Sequence, residues 1–319
     1  MADFTLGYAL SSEEHPPNRL VENARRAEEA GFEFALISDH YHPWVDAQGH
    51  APFVWSVIGG IAHATERLRL GTGVTCPMIR THPAIIAQAA ATSACMMPGR
   101  FFLGVGSGEN LNEHILGDHW PAPDERLEML EESVEVMRLL WQGGYQTHRG
   151  KHYTVESARI YDVPDDGVEV YVAAAAPQAA ELAGKIGDAL ISVAPDEEIV
   201  ERFESGGGKG KPRYGQVMVC YAESEEKAKK IVHEIWPNGA IEGDLSQELP
   251  LPKHFEQASG MVSEDDVCEG VACGPDPEKH FEVIRKMADA GFDHVYVHQI
   301  GHEQEDFFRF YEREIMPEL

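Results

Sequence analysis

The chain has 319 residues, a length that one α/β barrel with insertions accommodates. Its residues are 43% hydrophobic and 25% charged, which allows a large core and excludes wholesale disorder. Lys and Arg number 26 against 54 Asp and Glu, a net charge of −28 that opposes nucleic-acid phosphates and anionic lipid.

Short apolar runs alternate with longer helical patterns along the chain. The runs are Phe4–Tyr8, Ala35–Ser38, Leu68–Thr72, Phe101–Val105, Val168–Ala174, Ala189–Val193, Gln216–Tyr221 and His294–Gln299. Between them the spacing predicts helices near Asn18–Ala30, Pro83–Met97, Glu125–Trp141 and Asp276–Ala290. Strict β–α alternation implies a parallel sheet, and eight units favour a closed (β/α)8 TIM barrel in a single domain over residues 1–319. Three stretches read as insertions, at about 108–122, 146–161 and 236–265. The stretch 146–161 has the pattern of a small hairpin around Arg149-Gly150. The stretch 236–265 is Pro-, Gly- and acid-rich and is expected over one end of the barrel. Ser205–Pro212, with three consecutive glycines, reads as a flexible loop.

Five cysteines without a C-x-x-C argue against a disulfide framework and a thiolate zinc site. No basic-then-apolar leader and no 18-residue apolar run occur, so the reading is a soluble cytoplasmic protein. So acidic a surface, with only ten Lys and none before Lys151, suits concentrated salt, where self-repulsion is screened, and points to a halophilic setting.

In a parallel barrel the chemistry sits beyond the C-terminal ends of the strands. After the Ala35–Ser38 run comes Asp39-His40-Tyr41-His42-Pro43-Trp44. Histidine titrates near neutral pH and a neighbouring carboxylate can set its tautomer, so Asp39-His40 is an acid/base candidate, with Trp44 a pocket wall. The plainer alternative is a loop histidine beside a turn aspartate. The Phe101–Val105 run continues into Gly106-Ser107-Gly108-Glu109. Bare glycines let a flat ring or a phosphate approach the backbone, but Glu109 stands where a dinucleotide fingerprint needs glycine. Glu109 is a proton-donor candidate, or else a solvated acid. Glu13 follows the first run, and Ala174-Ala175-Ala176-Pro177 leads from the fifth into a helix whose N-terminus suits an anion. For each, a surface acid or a tight turn is the alternative. His298 and His302 point inward or lie on the surface. H-x-x-x-H spacing at His148 and His152 falls in the hairpin. At His294, His298 and His302 it starts on a strand, where four residues span roughly 13 Å, too far for one ion. No metal is expected.

Taken in order, these segments resemble the luciferase-like, deazaflavin-dependent oxidoreductases. The likeness runs through Ser38-Asp39-His40, Pro43-Trp44, Gly49–Phe53, Leu70–Thr72, Phe102–Gly106, Gly108-Glu109, Leu111-Asn112-Glu113, Ile160–Pro164 and Gly301-His302. The nearest branch is that of the coenzyme F420-dependent glucose-6-phosphate dehydrogenases and secondary-alcohol dehydrogenases. The resemblance implies a non-proline cis peptide at Gly73-Val74 backing the ring. It implies coenzyme contacts from Asp39, Gly73, Val74, Thr75, Gly106, Glu109 and Asn112, and a phosphate turn at Ala174, Ala175, Ala176 and Pro177. It also implies that His40 takes the proton of a substrate hydroxyl while Glu109 protonates the ring. Trp44 and Glu13 would hold the substrate and its developing charge, with Trp236 as a further wall. A homodimer formed through barrel helices is implied as well.

The departures bear on substrate. Lysines that hold the sugar phosphate in the resembled enzymes correspond here to Asp196 and Gln257, and an arginine to Gly270. Lys209, Lys211 and Arg80 are the cations that could replace them. An acid facing a dianion opposes its binding, so an uncharged alcohol or unphosphorylated sugar is the leading substrate. The rivals are glucose-6-phosphate held by other ligands, an FMN-dependent monooxygenase and a non-catalytic deazaflavin-binding protein.

Overall fold

The computed structural model of the chain describes residues 4–241 and 243–319. Eight parallel strands close on themselves: β1 (Thr5–Leu10), β2 (Phe34–Ile37), β3 (Arg69–Thr72), β4 (Phe101–Val105), β5 (Glu169–Ala173), β6 (Ala189–Ser192), β7 (Arg213–Cys220) and β8 (His294–Gln299). Each pairs with its neighbour, β6 pairs with β7, and β7 with β8. The β1–β8 ladder, with Leu6 opposite Val295, completes the ring. The expected (β/α)8 barrel is therefore present, with all eight apolar runs in it.

Local sequence explains the outer layer. The helix Pro17–Ala30 buries Leu20, Ala24 and Ala27, one stripe at helical spacing, and stops where Gly31 takes φ of 97°. Proline begins the helices Pro83–Met96, Pro123–Trp141, Pro177–Ile186 and Pro277–Asp289, where its missing N–H costs nothing.

Inside the barrel, side-chain size decides which end is open. Phe102 stacks on Tyr171 at 4.4 Å, and Tyr214 lies 5.0 Å from both Tyr171 and Phe34. The Arg69 guanidinium sits 5.4 Å over the Phe102 ring and donates to the Tyr171 hydroxyl. Small or half-buried inward residues, Ala9, Val74 and Ala173, pack above this aromatic plug. The fold thus fills its interior early in the strands and leaves room at their C-terminal ends.

The hairpin pairs Gln146–Arg149 antiparallel with Thr154–Ala158, as its sequence predicts. The third insertion contains short helices, and Phe255 from Pro252–Ser259 packs 5.2 Å edge-on against Trp44. That contact places the insertion over the C-terminal end. The glycine run behaves differently from its composition. Glu204–Gly208 forms a turn of π-helix clamped to the helix Pro177–Ile186. A Cβ at Gly206 would overlap the Glu181 carbonyl, and one at Gly184 the Phe203 carbonyl. Here glycine serves close backbone approach, so the expected flexible loop is a packed contact. Lys211 donates to the carbonyls of Gly184 and Gly187 at 2.8 Å, just before β6 and β7 begin and so at the far end from the site.

Candidate active site

The loops after β1 and β2 bring Glu13 and His40 together. Glu13 Oε1 lies 3.3 Å from His40 Nε2. The other Glu13 oxygen accepts from the hydroxyls of Ser38 at 2.6 Å and Ser11 at 3.0 Å. His40 Nδ1 is 3.1 Å from the His42 carbonyl, which only accepts, so that contact assigns a ring hydrogen to Nδ1. A neutral His40 therefore presents the Nε2 lone pair as its base. Protonation there would place a positive charge 3.3 Å from Glu13 Oε1. Trp44, half-buried, holds its ring 5.0 Å from that of His40.

Glu109 lies across the site, on the residue preceding a short helical turn, Asn110–Glu113. Asn112 ties it to the His40 loop. Its Oδ1 accepts from the backbone N–H groups of Tyr41 at 2.9 Å and His42 at 3.2 Å, and its Nδ2 donates to Glu109 at 3.3 Å. Asn112 itself is buried. One amide thus fixes the separation of the two candidate proton-handling groups, a role that only the folded chain reveals.

Asp39 is buried and fully engaged. Thr75 donates to one of its oxygens at 2.8 Å, and Arg80 to the other at 3.0 Å. The backbone of Thr75 is spent as well, its N–H donating to the Gly104 carbonyl and its carbonyl accepting from Gly106. Asp39 and Thr75 therefore build the floor between the β2, β3 and β4 ends. The peptide Gly73-Val74 is cis, where the resemblance put it. Val74 faces Gly106 so closely that a Cβ on Gly106 would come 2.7 Å from Val74 Cγ2.

Of the expected phosphate turn, Ala174 is buried and its N–H donates to the Ile191 carbonyl. It supports the turn rather than reaching out. Ala175, Ala176 and Pro177 are exposed, and among the described residues no side chain caps the helix that follows. First-turn N–H groups lack intrahelical partners, so this helix start is open to an anion. Trp236 is half-buried at the end of the helix Glu225–Ile235, its ring edge-on to His298 at 4.6 Å.

Sequence reasoning singled out Arg80 only as a loose cation and gave Glu113 no separate role. Arg80 is wedged between Asp39 and Glu113, with Nε 3.4 Å from Glu113 Oε1 and its backbone N–H donating to Oε2 at 2.7 Å. Burial pushes the Glu113 carboxyl up to about 7, despite Arg80. Arg80 makes its well-formed side-chain hydrogen bonds to Asp39, and among the described residues neither its Nε nor Glu113 Oε1 has a hydrogen-bond partner. Nothing local flags either residue, because their partners lie more than 30 positions away.

A family model described as luciferase-like monooxygenase matches residues 1–294. The chain belongs to the luciferase-like family. It is 35% identical to the F420-dependent glucose-6-phosphate dehydrogenase of Mycolicibacterium gilvum, covering all of this chain and 99% of that one. The enzyme of the same description from Microbacterium testaceum is also 35% identical, over 98% of this chain and 96% of its own length. Among solved structures, an F420-dependent secondary alcohol dehydrogenase in complex with an F420-acetone adduct superposes with a TM-score of 0.91 and 28% identity, covering 98% of each chain. The coenzyme F420-dependent tetrahydromethanopterin reductase of Methanopyrus kandleri shares the fold at a TM-score of 0.79 and 22% identity, over 99% of each chain.

Proposed function

We infer that this chain is a coenzyme F420-dependent dehydrogenase acting on a CH–OH group, and that its substrate is an uncharged alcohol or an unphosphorylated sugar. The relatives of both descriptions, sugar-phosphate and secondary-alcohol dehydrogenases, are F420-dependent and share this chain's full length. The observation that carries the reading is the orientation of His40, with Nδ1 tied down and Nε2 offered as a base beside the Glu13 carboxylate.

The residues fit the coenzyme. Val74 and bare Gly106 form a flat seat, and the uncapped helix start at Ala176-Pro177 suits a phosphodiester. A deazaflavin bound there supplies a two-electron hydride acceptor. The chain supplies the proton chemistry. His40 Nε2 takes the hydroxyl proton of the substrate, and the Glu13 carboxylate stabilises the imidazolium. Glu13 can hold that orientation because Ser11 and Ser38 fix its second oxygen. Glu109, positioned through Asn112, is the proton donor on the coenzyme side. Trp44 walls the pocket beside His40, and Trp236 is assigned to the outer wall through its place over His298.

The phosphate-opposing reading rests on Asp196. Its carboxylate caps the helix Glu197–Phe203 by accepting from the Glu198 N–H at 2.8 Å, with Glu197 and Glu198 adding charge. This acidic turn follows β6, on the open end of the barrel. Lys211 is engaged at the other end, and Arg80 is committed to Asp39.

The test is titration with oxidised F420 and, separately, with FMN, read by fluorescence quenching, followed by coenzyme reduction with secondary alcohols, sugars and glucose-6-phosphate. Saturable F420 binding with turnover of neutral alcohols is expected. FMN binding alone would defeat the dehydrogenase reading, glucose-6-phosphate as the best substrate would defeat the neutral-substrate reading, and binding without turnover would leave a storage protein. A homodimer, a cytoplasmic location and a salt-adapted surface belong to the same reading. Light scattering checks the first.

A further inference from the structure

Glu14 is fully buried next to Glu13 in sequence, yet its carboxylate points the other way. Oε1 accepts from His298 Nε2 at 2.6 Å and Oε2 from the Gly301 N–H at 2.6 Å. The Glu14 carbonyl is 2.9 Å from His302 Nδ1, and the carbonyl of Glu13 accepts from the His50 N–H at 2.9 Å. The end of β8 therefore holds the turn after β1 at several points. His298 is buried as well, with Trp236 edge-on to its other side and Gln216 3.4 Å from Nδ1.

We propose that Glu14 and His298 form a positioning clamp that sets the Glu13 carboxylate against His40 and seats Trp236 on the substrate side. The physical case is one of reach. Glu13 and Glu14 are adjacent, so fixing one carboxylate at both oxygens fixes the backbone from which the other projects. The Glu14 carboxylate is held low by the facing His298, and burial alone would raise it, so the clamp is charge-assisted. His298 Nε2 must carry a hydrogen to donate, and Gln216 can satisfy Nδ1 in either protonation state because its amide can turn. Neither Glu14 nor His298 touches the coenzyme seat. Their effect passes through Glu13 and Trp236.

The inference rests on the role given to Glu13 above, and a double-mutant cycle separates the two. Glu14→Gln keeps shape but presents an amide N–H₂ to partners that are both donors, so His298 must change tautomer and the charge is lost. The expected result is a fall in kcat for alcohol oxidation of about 10- to 100-fold, the range of a misplacement near 1 Å, with F420 affinity by fluorescence quenching within about twofold. His298→Gln keeps a donor near Nε2 and is expected to retain kcat within about threefold. In a Glu13→Gln background, Glu14→Gln should cost little more, because the residue it positions is gone. Multiplicative losses, or parallel loss of F420 affinity and kcat, would overturn the clamp while leaving the Glu13 role intact. An unchanged kcat in Glu13→Gln would overturn both. Should Glu14→Gln fail to fold, the His298→Gln and His298→Phe pair decides: equal loss in both refutes a donor-dependent clamp.

Discussion

Glu113 offers a test in which the structure sets both sign and size. Its carboxyl is raised from 4.5 to about 7, first by burial and against the pull of Arg80. A carboxyl raised on folding contributes no penalty below its unfolded value, where both states are protonated. Between 4.5 and about 7 the native state keeps a proton that the unfolded chain has released, so stability falls as pH rises; above about 7 both states are ionised and the penalty stays constant. At about 1.4 kcal/mol per decade the full penalty is about 3 kcal/mol, reached above about pH 8. Glutamine mimics the protonated acid in shape and still accepts from the Arg80 backbone N–H. Glu113→Gln should therefore gain about 1 kcal/mol over the wild type at pH 5 and about 3 kcal/mol at pH 8.5. For 319 residues, 3 kcal/mol corresponds to about 5 °C in Tm. Thermal melts of both proteins at fixed salt across this range provide the measurement. A Tm difference that does not grow with pH would refute the burial argument. A difference that shrinks with pH would mean that Arg80 stabilises the ionised form.

Three shorter expectations concern the same site and its charged surroundings. His40→Ala should cut turnover by at least about 100-fold with F420 affinity nearly unchanged if, as proposed, Nε2 takes the substrate proton; quenching titrations beside steady-state kinetics check it. Gly106→Ala should weaken F420 binding by about tenfold or more if Val74 and Gly106 form the proposed coenzyme seat, because the new methyl meets Val74 at 2.7 Å, and the same titration reads it. At a net charge of −28, raising KCl from about 0.1 to 2 M should raise Tm by several degrees through screening; a flat salt response in a melting series would remove the halophilic reading.

The sequence disclosed what local chemistry writes down. Apolar runs ending in polar residues located all eight strands, and through them the stations of Glu13, His40 and Glu109. The expected cis bond at Gly73-Val74 came from likeness, since no propensity of Gly or Val points to it. What stayed hidden is what needs two distant segments. Asn112 meets the backbone of Tyr41 and His42 some 70 residues away, and Glu14 meets His298 across 284. Neither contact leaves a periodicity. The glycines at 206 and 207 read as flexible for a related reason: composition records that a residue lacks a side chain, while the reason it does so lies in the Glu181 and Gly184 backbone packed against it.

Charge then ties the site to its substrate. An acidic protein that binds an anionic coenzyme has to supply local attraction without lending it to every anion. The proposed coenzyme side offers backbone N–H groups at the helix start after Ala176, partial charges that act over a few ångströms and do not alter the net charge. The side-chain cation near the floor is neutralised by its neighbours: Arg80 is shared between Asp39 and Glu113. On the proposed substrate side stand Glu13 and His40, and the turn after β6 carries Asp196, Glu197 and Glu198. A substrate dianion would face repulsion from that turn, with no unshared guanidinium described on the pocket floor to offset it. A neutral hydroxyl needs only the His40 base and a wall of indole. On the proposed reading, the arrangement would select against phosphate at the substrate while accepting it in the coenzyme, because the two proposed sites attract by different means.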